Sequence, residues 1–221
     1  MSISPFSRAQ ILLVMTFLLV SNHAHGQDNH PLKKANDRPE TTDTIRLPEP
    51  FDLATVSEMS EQCALLQTEV GDIQLEFFPE EAPVTVRNFL NLVSLGAFDM
   101  TVFSRIVRNF VVQGGNISTR EDATVDIRRR ANRRIPDEPN RIRHERGIVS
   151  LARPDEADRA TSHFFILVAD SDFLDGKFAA FGRVLTGMEV VDRMNAMEVD
   201  GDKPLSPVRL KKATLYRCQD K

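Results

Sequence analysis

Phe103-Ser-Arg-Ile-Val-Arg-Asn-Phe-Val-Val-Gln-Gly-Gly-Asn116 sets an arginine and a glutamine among apolar residues in what reads as two short strands. Alternation over Val102 to Ile106 and again over Phe110 to Gln113 predicts pleated strands, and period-two parity puts Val111 and Gln113 on one face. That face is apolar and polar together. Such a surface holds an apolar ring while aiming a few hydrogen bonds at a neighbouring polar bond, as a specific binding site requires. A half-buried Arg105 needs hydrogen-bond partners in this setting, which a ligand or a neighbouring strand would supply.

On the N-terminal side of this stretch, Leu65, Gln67 and Glu69 alternate toward a Gly71-Asp72 turn, and Ile73 to Phe78 reads as the return strand of a hairpin. Pro83 suits the first turn of a helix, in which Val86, Phe89, Leu90 and Val93 recur at helical spacing before Gly96 ends it. On the C-terminal side, Gly114-Gly115 breaks the strand, and a long stretch without clean periodicity runs to Gly147, the kind of loop that is functional or disordered. Ile148 to Ala152, His163 to Val168 and Phe178 to Val184 then predict strands, Asp175-Gly176 a tight turn, and Met188 to Asn195 a second short helix. Ala213 to Arg217 closes the series as a last strand. Many short strands, two helices and no βαβ rhythm predict a mainly β fold, an antiparallel barrel with helices over its ends.

At 221 residues, 41% hydrophobic and 27% charged, the chain fits one domain with an extension. A formal charge of -4 argues against nucleic acid as the main partner. Arg8 precedes the apolar run Ile11 to Val20, and small residues Ala24 and Gly26 stand where a signal peptidase cuts. Residues 1–26 therefore read as a cleavable signal peptide ending at Gly26, too short in its apolar run to span a bilayer, and the mature protein is expected to be exported to the periplasm without stable membrane insertion. Residues 27–60 are rich in Pro, Asn, Asp and Thr and read as a flexible linker, which leaves 61–221 as the folded domain. Export makes a disulfide between Cys63 and Cys218 chemically possible, with two unpaired thiols as the alternative.

Several kinds of chemistry are tested by the residues present. In His163-Phe164-Phe165, parity puts His163 and Phe165 on one face and Phe164 on the other, so one ring packs in the core while its neighbour lines a site. A His beside a Phe on a strand is ordinarily a packing residue. No second His, Cys or carboxylate stands at a spacing that completes a zinc site, so no metal is expected. Ser150, Ser162, His144 and His163 lack the strand-Gly-x-Ser-x-Gly-helix turn that presents a hydrolase nucleophile. The run Arg128-Arg-Arg-Ala-Asn-Arg-Arg134, continuing through Arg141, Arg143 and Arg146, is interleaved with Asp126, Asp137, Glu138 and Glu145 and has no aromatic stacking residue, which reads as a solvated loop of mixed charge.

The order of motifs is distinctive: Phe103-x-Arg-Ile106, Phe110-x-x-Gln-Gly-Gly115, Gly147-Ile-Val-Ser-Leu-Ala152, Ser162-His-Phe-Phe-Ile166, Phe173-Leu-Asp-Gly-Lys177 and Phe181-Gly-Arg-Val184. From about Ala64 to Arg217 the chain resembles the cyclophilins, and its leader and Ala-Thr-Ser-His-Phe-Phe wording resemble their bacterial periplasmic branch. The resemblance implies a closed eight-stranded antiparallel β-barrel capped by two α-helices, and catalysis of cis/trans rotation about peptide bonds preceding proline, with no cofactor. It makes Arg105 the catalytic guanidinium and Phe110, Val111, Phe165 and Leu174 the walls of a proline pocket, with Gln113 orienting the substrate backbone and a backbone N–H near Ala152 or Arg153 holding the other side of the bond. Four positions depart from the usual pattern: Phe173 for a frequent Trp, Val111 for Met, His163 for Gln and Phe178 for a His that lines the site. The expected partner is unfolded or loop-exposed proline-containing polypeptide bound by a monomer that assists the folding of exported proteins. A proline-peptide-binding module or chaperone with little turnover is the alternative.

Overall fold

The computed structural model describes residues 48–218; the expected signal peptide and the first part of the expected linker lie outside them. The remainder of that linker is folded onto the domain. Thr55 and Glu58 form a reciprocal capping box at the start of α1 (Val56–Ser60), which satisfies two backbone donors that a short helix otherwise leaves bare. Before it, Phe51 N–H donates to Asn91 Oδ1 (2.8 Å), and Arg87 donates to the carbonyls of Phe51 and Ala54 at 3.0 and 2.8 Å. Composition alone reads these residues as linker because their anchors, Arg87 and Asn91, lie on a helix some thirty residues further along.

That helix is α2 (Pro83–Ser94), with proline in its first turn and Val86, Phe89, Leu90 and Val93 buried, as the helical spacing predicts. Its free N-terminal amides are met by a carboxylate from far along the chain: Glu138 accepts from Val84 N–H (2.9 Å) and Thr85 N–H (2.7 Å). The second expected helix is α4 (Met188–Asn195), which buries Val190, Val191, Met194 and Asn195.

Eight strands form one antiparallel sheet: β1 (Gln62–Thr68), β2 (Gly71–Phe77), β3 (Arg105–Val107), β4 (Val111–Gly114), β5 (Ile148–Leu151), β6 (Phe164–Leu167), β7 (Ala180–Thr186) and β10 (Leu210–Arg217). Their order is β10-β1-β2-β7-β5-β6-β4-β3. The expected closed barrel is corrected here: the sheet is open and curled, with β3 and β10 as its two ends. Chain ahead of β3 meets the start of β10 in a short contact, the isolated bridge Val102 to Arg209 with Phe103 N–H to Val208 O (2.9 Å), Leu210 N–H to Thr101 O (2.8 Å) and Met100 N–H to Leu210 O (2.8 Å). Met100 takes φ +64°, outside the extended region, so the pairing cannot run on as a ladder. The free edge of β3 is covered instead by the small hairpin of β8 (Val199–Asp200) and β9 (Lys203–Pro204), through Ile106 N–H to Asp202 O at 2.8 Å.

The sheet has two apolar faces. One carries the main core, in which Val112, Val149, Phe164, Ile166 and Phe181 pack with α2 and α4. The other carries a smaller cluster of Val111, Ile148, Phe165, Leu167, Leu174 and Ala180. Along β4 and β6 the side chains therefore alternate between clusters, Val111 and Phe165 on one side and Val112 and Phe164 on the other.

The long stretch after Gly115 is structured too. It holds α3 (Val125–Ala131), N-capped by Thr124, and of the arginines read as solvated Arg129, Arg134, Arg141, Arg143 and Arg146 are exposed, whereas Arg128, Arg130 and Arg133 are spent within the domain. Arg128 donates to the carbonyls of Arg120, Glu121 and Ala123, while Arg130 and Arg133 both reach Glu49 Oε1, at 2.6 and 2.7 Å. Burial works against the charge on Glu49, yet the two guanidinium groups hold its carboxyl below the ordinary carboxylate range. Cys63 on β1 and Cys218 after β10 are joined, S–S 2.01 Å and Cα–Cα 5.2 Å.

Candidate functional site

Register across the open end of the sheet builds the site. Arg105 on β3 stands opposite Gln113 on β4, Gln113 opposite Phe165 on β6, and Phe165 opposite Ser150 on β5. Directly opposed residues in antiparallel strands share a face, so the arginine, the glutamine and the Phe165 ring lie in one transverse row. Gly115 sustains this row where it ends: its φ is +81°, and a Cβ there would stand 2.2 Å from Ser162 O. Ser162 Oγ in turn donates to Gly115 O at 2.8 Å.

Arg105 is 28% exposed, accessible to a ligand and yet held. Its Nε donates to Asp202 Oδ2 at 3.1 Å, Nη2 lies 2.9 Å from the same oxygen, and Nη1 donates to Gln113 Oε1 at 3.4 Å. Beside it the smaller cluster supplies apolar walls: Val111, Phe165 and Leu174 are buried, with Phe110, Phe178 and Ala152 partly buried against them. Phe165 and Phe178 meet edge to face with centroids 5.9 Å apart. Phe173 is 60% exposed and touches Phe110 ring to ring at 5.5 Å, which makes it a rim residue rather than a wall.

Arg153 lies over Phe178, Cζ 5.2 Å from the ring centroid, with Nε 3.0 Å from Asp137 Oδ2. It also donates to the carbonyls of Pro154, Asp155 and Lys177, so its side chain is a brace between loops. Ala152 N–H is already engaged, donating to His163 O at 2.9 Å as β5 and β6 run past their last full pair. His163 is largely buried, and burial pushes its imidazole below the ordinary histidine range, toward the neutral form.

A second polar arrangement stands behind the walls. Ser150 Oγ lies 3.0 Å from His144 Nε2, and His144 Nδ1 lies 3.0 Å from Asp175 Oδ1, which also accepts His144 N–H at 2.7 Å. An ionised carboxylate only accepts, so Nδ1 carries a proton directed at Asp175. Bonds from His144, the backbone amide first, hold the Asp175 carboxyl below its usual range. Serine, histidine and aspartate thus form a chain, but Ser150 and His144 are fully buried and Ser150 is paired on both sides, with Phe165 and Ala180. No substrate reaches that hydroxyl. The chain fastens Asp175, next to Leu174, to the strand behind Phe165.

Two of these residues have no signal in the sequence that ties them to the site. Asp202 sits in a Gly-Asp-Lys-Pro turn 97 residues from Arg105, and His144 carries nothing that marks it as the partner of Asp175. Among the described residues no cluster of three or more His, Cys, Asp or Glu is arranged to hold a metal ion, and no helix is long and apolar enough to cross a membrane.

Comparison with known proteins bears directly on this arrangement. A family model described as cyclophilin type peptidyl-prolyl cis-trans isomerase/CLD matches residues 63–215. The chain is 39% identical over 158 residues to peptidyl-prolyl cis-trans isomerase cypE of Dictyostelium discoideum, covering 71% of this chain and 99% of that protein. It is 40% identical over 151 residues to peptidyl-prolyl cis-trans isomerase A of Dickeya dadantii, covering 65% and 76% respectively. Its fold is similar to that of a Cryptosporidium parvum cyclophilin type isomerase solved in the presence of the dipeptide Ala-Pro, with a TM-score of 0.62 and 24% identity over 71% of this chain and 99% of that one.

Proposed function

Because the chain belongs to the cyclophilin-type peptidyl-prolyl cis-trans isomerase family, we propose that it rotates Xaa-Pro bonds in the cleft between Arg105 and the smaller apolar cluster. The observation that carries this reading is the transverse row of Arg105, Gln113 and Phe165 beside Val111 and Leu174, a guanidinium set at the edge of an apolar cup.

The chemistry asks for little else. A peptide bond resists rotation, by about 18 to 20 kcal/mol, because nitrogen shares its lone pair with the carbonyl. Twisting the bond returns that pair to the proline nitrogen, so a donor aimed at nitrogen binds the twisted form better than either planar form. Arg105 offers such a donor. The cup of Phe110, Val111, Phe165 and Leu174 fixes the proline ring, with Phe178 behind Phe165. The backbone on the other side of the bond needs one more donor, and with Ala152 N–H spent on His163 the amide of Arg153 takes that role. No covalent bond is made or broken, so the reaction calls for neither nucleophile nor cofactor.

Magnitudes divide the credit. A five-decade acceleration needs about 7 kcal/mol, while one charge-assisted hydrogen bond contributes roughly 1.5 to 3 kcal/mol. The shaped, partly desolvated pocket supplies the remainder. Arg105→Ala is therefore expected to slow cis-to-trans exchange of a short Xaa-Pro peptide by about ten- to a hundredfold while peptide still binds. Exchange NMR on wild-type and variant chains measures this. If neither chain accelerates exchange and both bind peptide, the cleft is a proline-binding module without turnover.

In the cell the substrate is unfolded or loop-exposed proline-containing chain, handled by a monomeric, exported protein that assists the folding of other exported proteins. The leader-like Arg8 and Ile11 to Val20 support export, and a disulfide is at home in an oxidising compartment. Prolyl steps take tens to hundreds of seconds uncatalysed, slow enough for such help to matter.

A further inference from the structure

The geometry points to Asp202 as a positioning residue for Arg105, an assignment that rests on the catalytic reading of that arginine. β3 is three residues long and ends the open sheet, so Arg105 rises from an edge strand with a partner strand on one side only. A free arginine there would sample many rotamers, and each encounter with substrate would have to freeze them. The turn between β8 and β9 prevents this in two ways. Its backbone is tied to the strand at the neighbouring residue, Ile106 N–H to Asp202 O at 2.8 Å. Its carboxylate then takes Nε and Nη2 of the guanidinium through a single oxygen, at 3.1 and 2.9 Å.

The donor inventory shows what this leaves. Arginine has one N–H on Nε and two on each Nη. Nε donates to Asp202 and one hydrogen of Nη1 to Gln113, while Nη2 stands against the same carboxylate oxygen as an ion-pair contact, so both Nη groups keep N–H donors for a ligand. The plane of the guanidinium is fixed by Asp202 from the Nε side and by Gln113 from the Nη1 side. The carboxylate also offsets part of the positive field, so the pair trades field strength at the substrate for placement. Asp202 is 50% exposed and touches the reacting bond only through Arg105, which separates its role from packing.

The test is a double-mutant cycle on the full chain, with exchange NMR of an Xaa-Pro peptide as the readout. Asp202→Ala is expected to lower kcat about tenfold with KM changed less than about twofold, and to leave the melting temperature near that of the wild type. The Nε–H resonance of Arg105 is expected to exchange faster with water in that variant. In the Arg105→Ala background, Asp202→Ala is expected to have no further effect. An Asp202→Ala enzyme as fast as the wild type, while Arg105→Ala is slow, overturns the positioning role and leaves the role of Arg105 standing. The same fold-loss with and without Arg105 also overturns it, since the effect then passes through the hairpin. An Arg105→Ala enzyme as fast as the wild type overturns the catalytic reading and this one together.

Discussion

His163 is kept toward its neutral form by burial, and that has a consequence for stability. The unfolded chain takes up the proton near pH 6.5, whereas the folded chain takes it up only at lower pH. Between the two values the unfolded state holds more protons, so stability rises with pH in that window. The contribution is complete above about pH 6.5 and declines as pH falls toward the folded value. The melting temperature of the wild type is therefore expected to drop between neutral and mildly acidic pH, and His163→Gln is expected to flatten that drop. Equal slopes in the two proteins would show that another group is responsible. Single residues were unevenly legible from sequence. Arg105 and Gln113 announce themselves as polar groups in an apolar alternating run, and Phe165 follows from strand parity. Asp202 does not, because nothing local marks which turn will be brought to which arginine across 97 residues. Arg128, Arg130 and Arg133 mislead for the opposite reason: their partners are backbone carbonyls, Glu49 and Asn88, and a carbonyl left bare by a turn has no letter in the sequence.

Strand β6 divides its labour residue by residue. Phe164 is fully buried in the main core, among the rings of Phe89, Phe98 and Phe103, while Phe165 faces the smaller cluster beside Val111 and Phe178. Phe164→Ala is expected to cost about 3 to 5 kcal/mol of stability, the range for truncating a core aromatic ring. Phe165→Ala is expected to cost less stability and to raise KM for an Xaa-Pro peptide more than it lowers kcat, because it removes pocket wall. Denaturant titration and peptide kinetics on the two variants decide this. Similar stability losses with similar kinetics would mean that the two faces are one core. The elements themselves were largely legible. Period two gave the strands, helical spacing and Pro83 gave α2, and Gly114-Gly115 marked the end of β4. Helix α3 was hidden because its helical stretch is short and crowded with charge. Its side chains are held by neighbouring segments rather than by a repeating apolar stripe.

At the scale of the whole molecule, the expected barrel is an open, curled sheet. Strand count and antiparallel order can be read from a sequence, but closure depends on whether two distant edges meet in register, which no local pattern encodes. Here Met100 leaves the extended region and the β8–β9 hairpin occupies the edge of β3. The export reading is a whole-molecule matter too. The protein recovered from cells that produce it is expected to begin at Gln27, with an intact mass two hydrogens below that of the dithiol form. A mass that includes residues 1–26, or one that corresponds to free thiols, would count against it. The bridge from Cys63 to Cys218 spans a sequence separation of 155 and encloses every residue assigned to the site. What hydrogen bonding leaves open, sulfur closes: the working domain is a covalent ring. A break in the exposed bend Asp155-Glu156, or anywhere else within the ring, would open it without dividing it, and the two new ends would remain on one molecule.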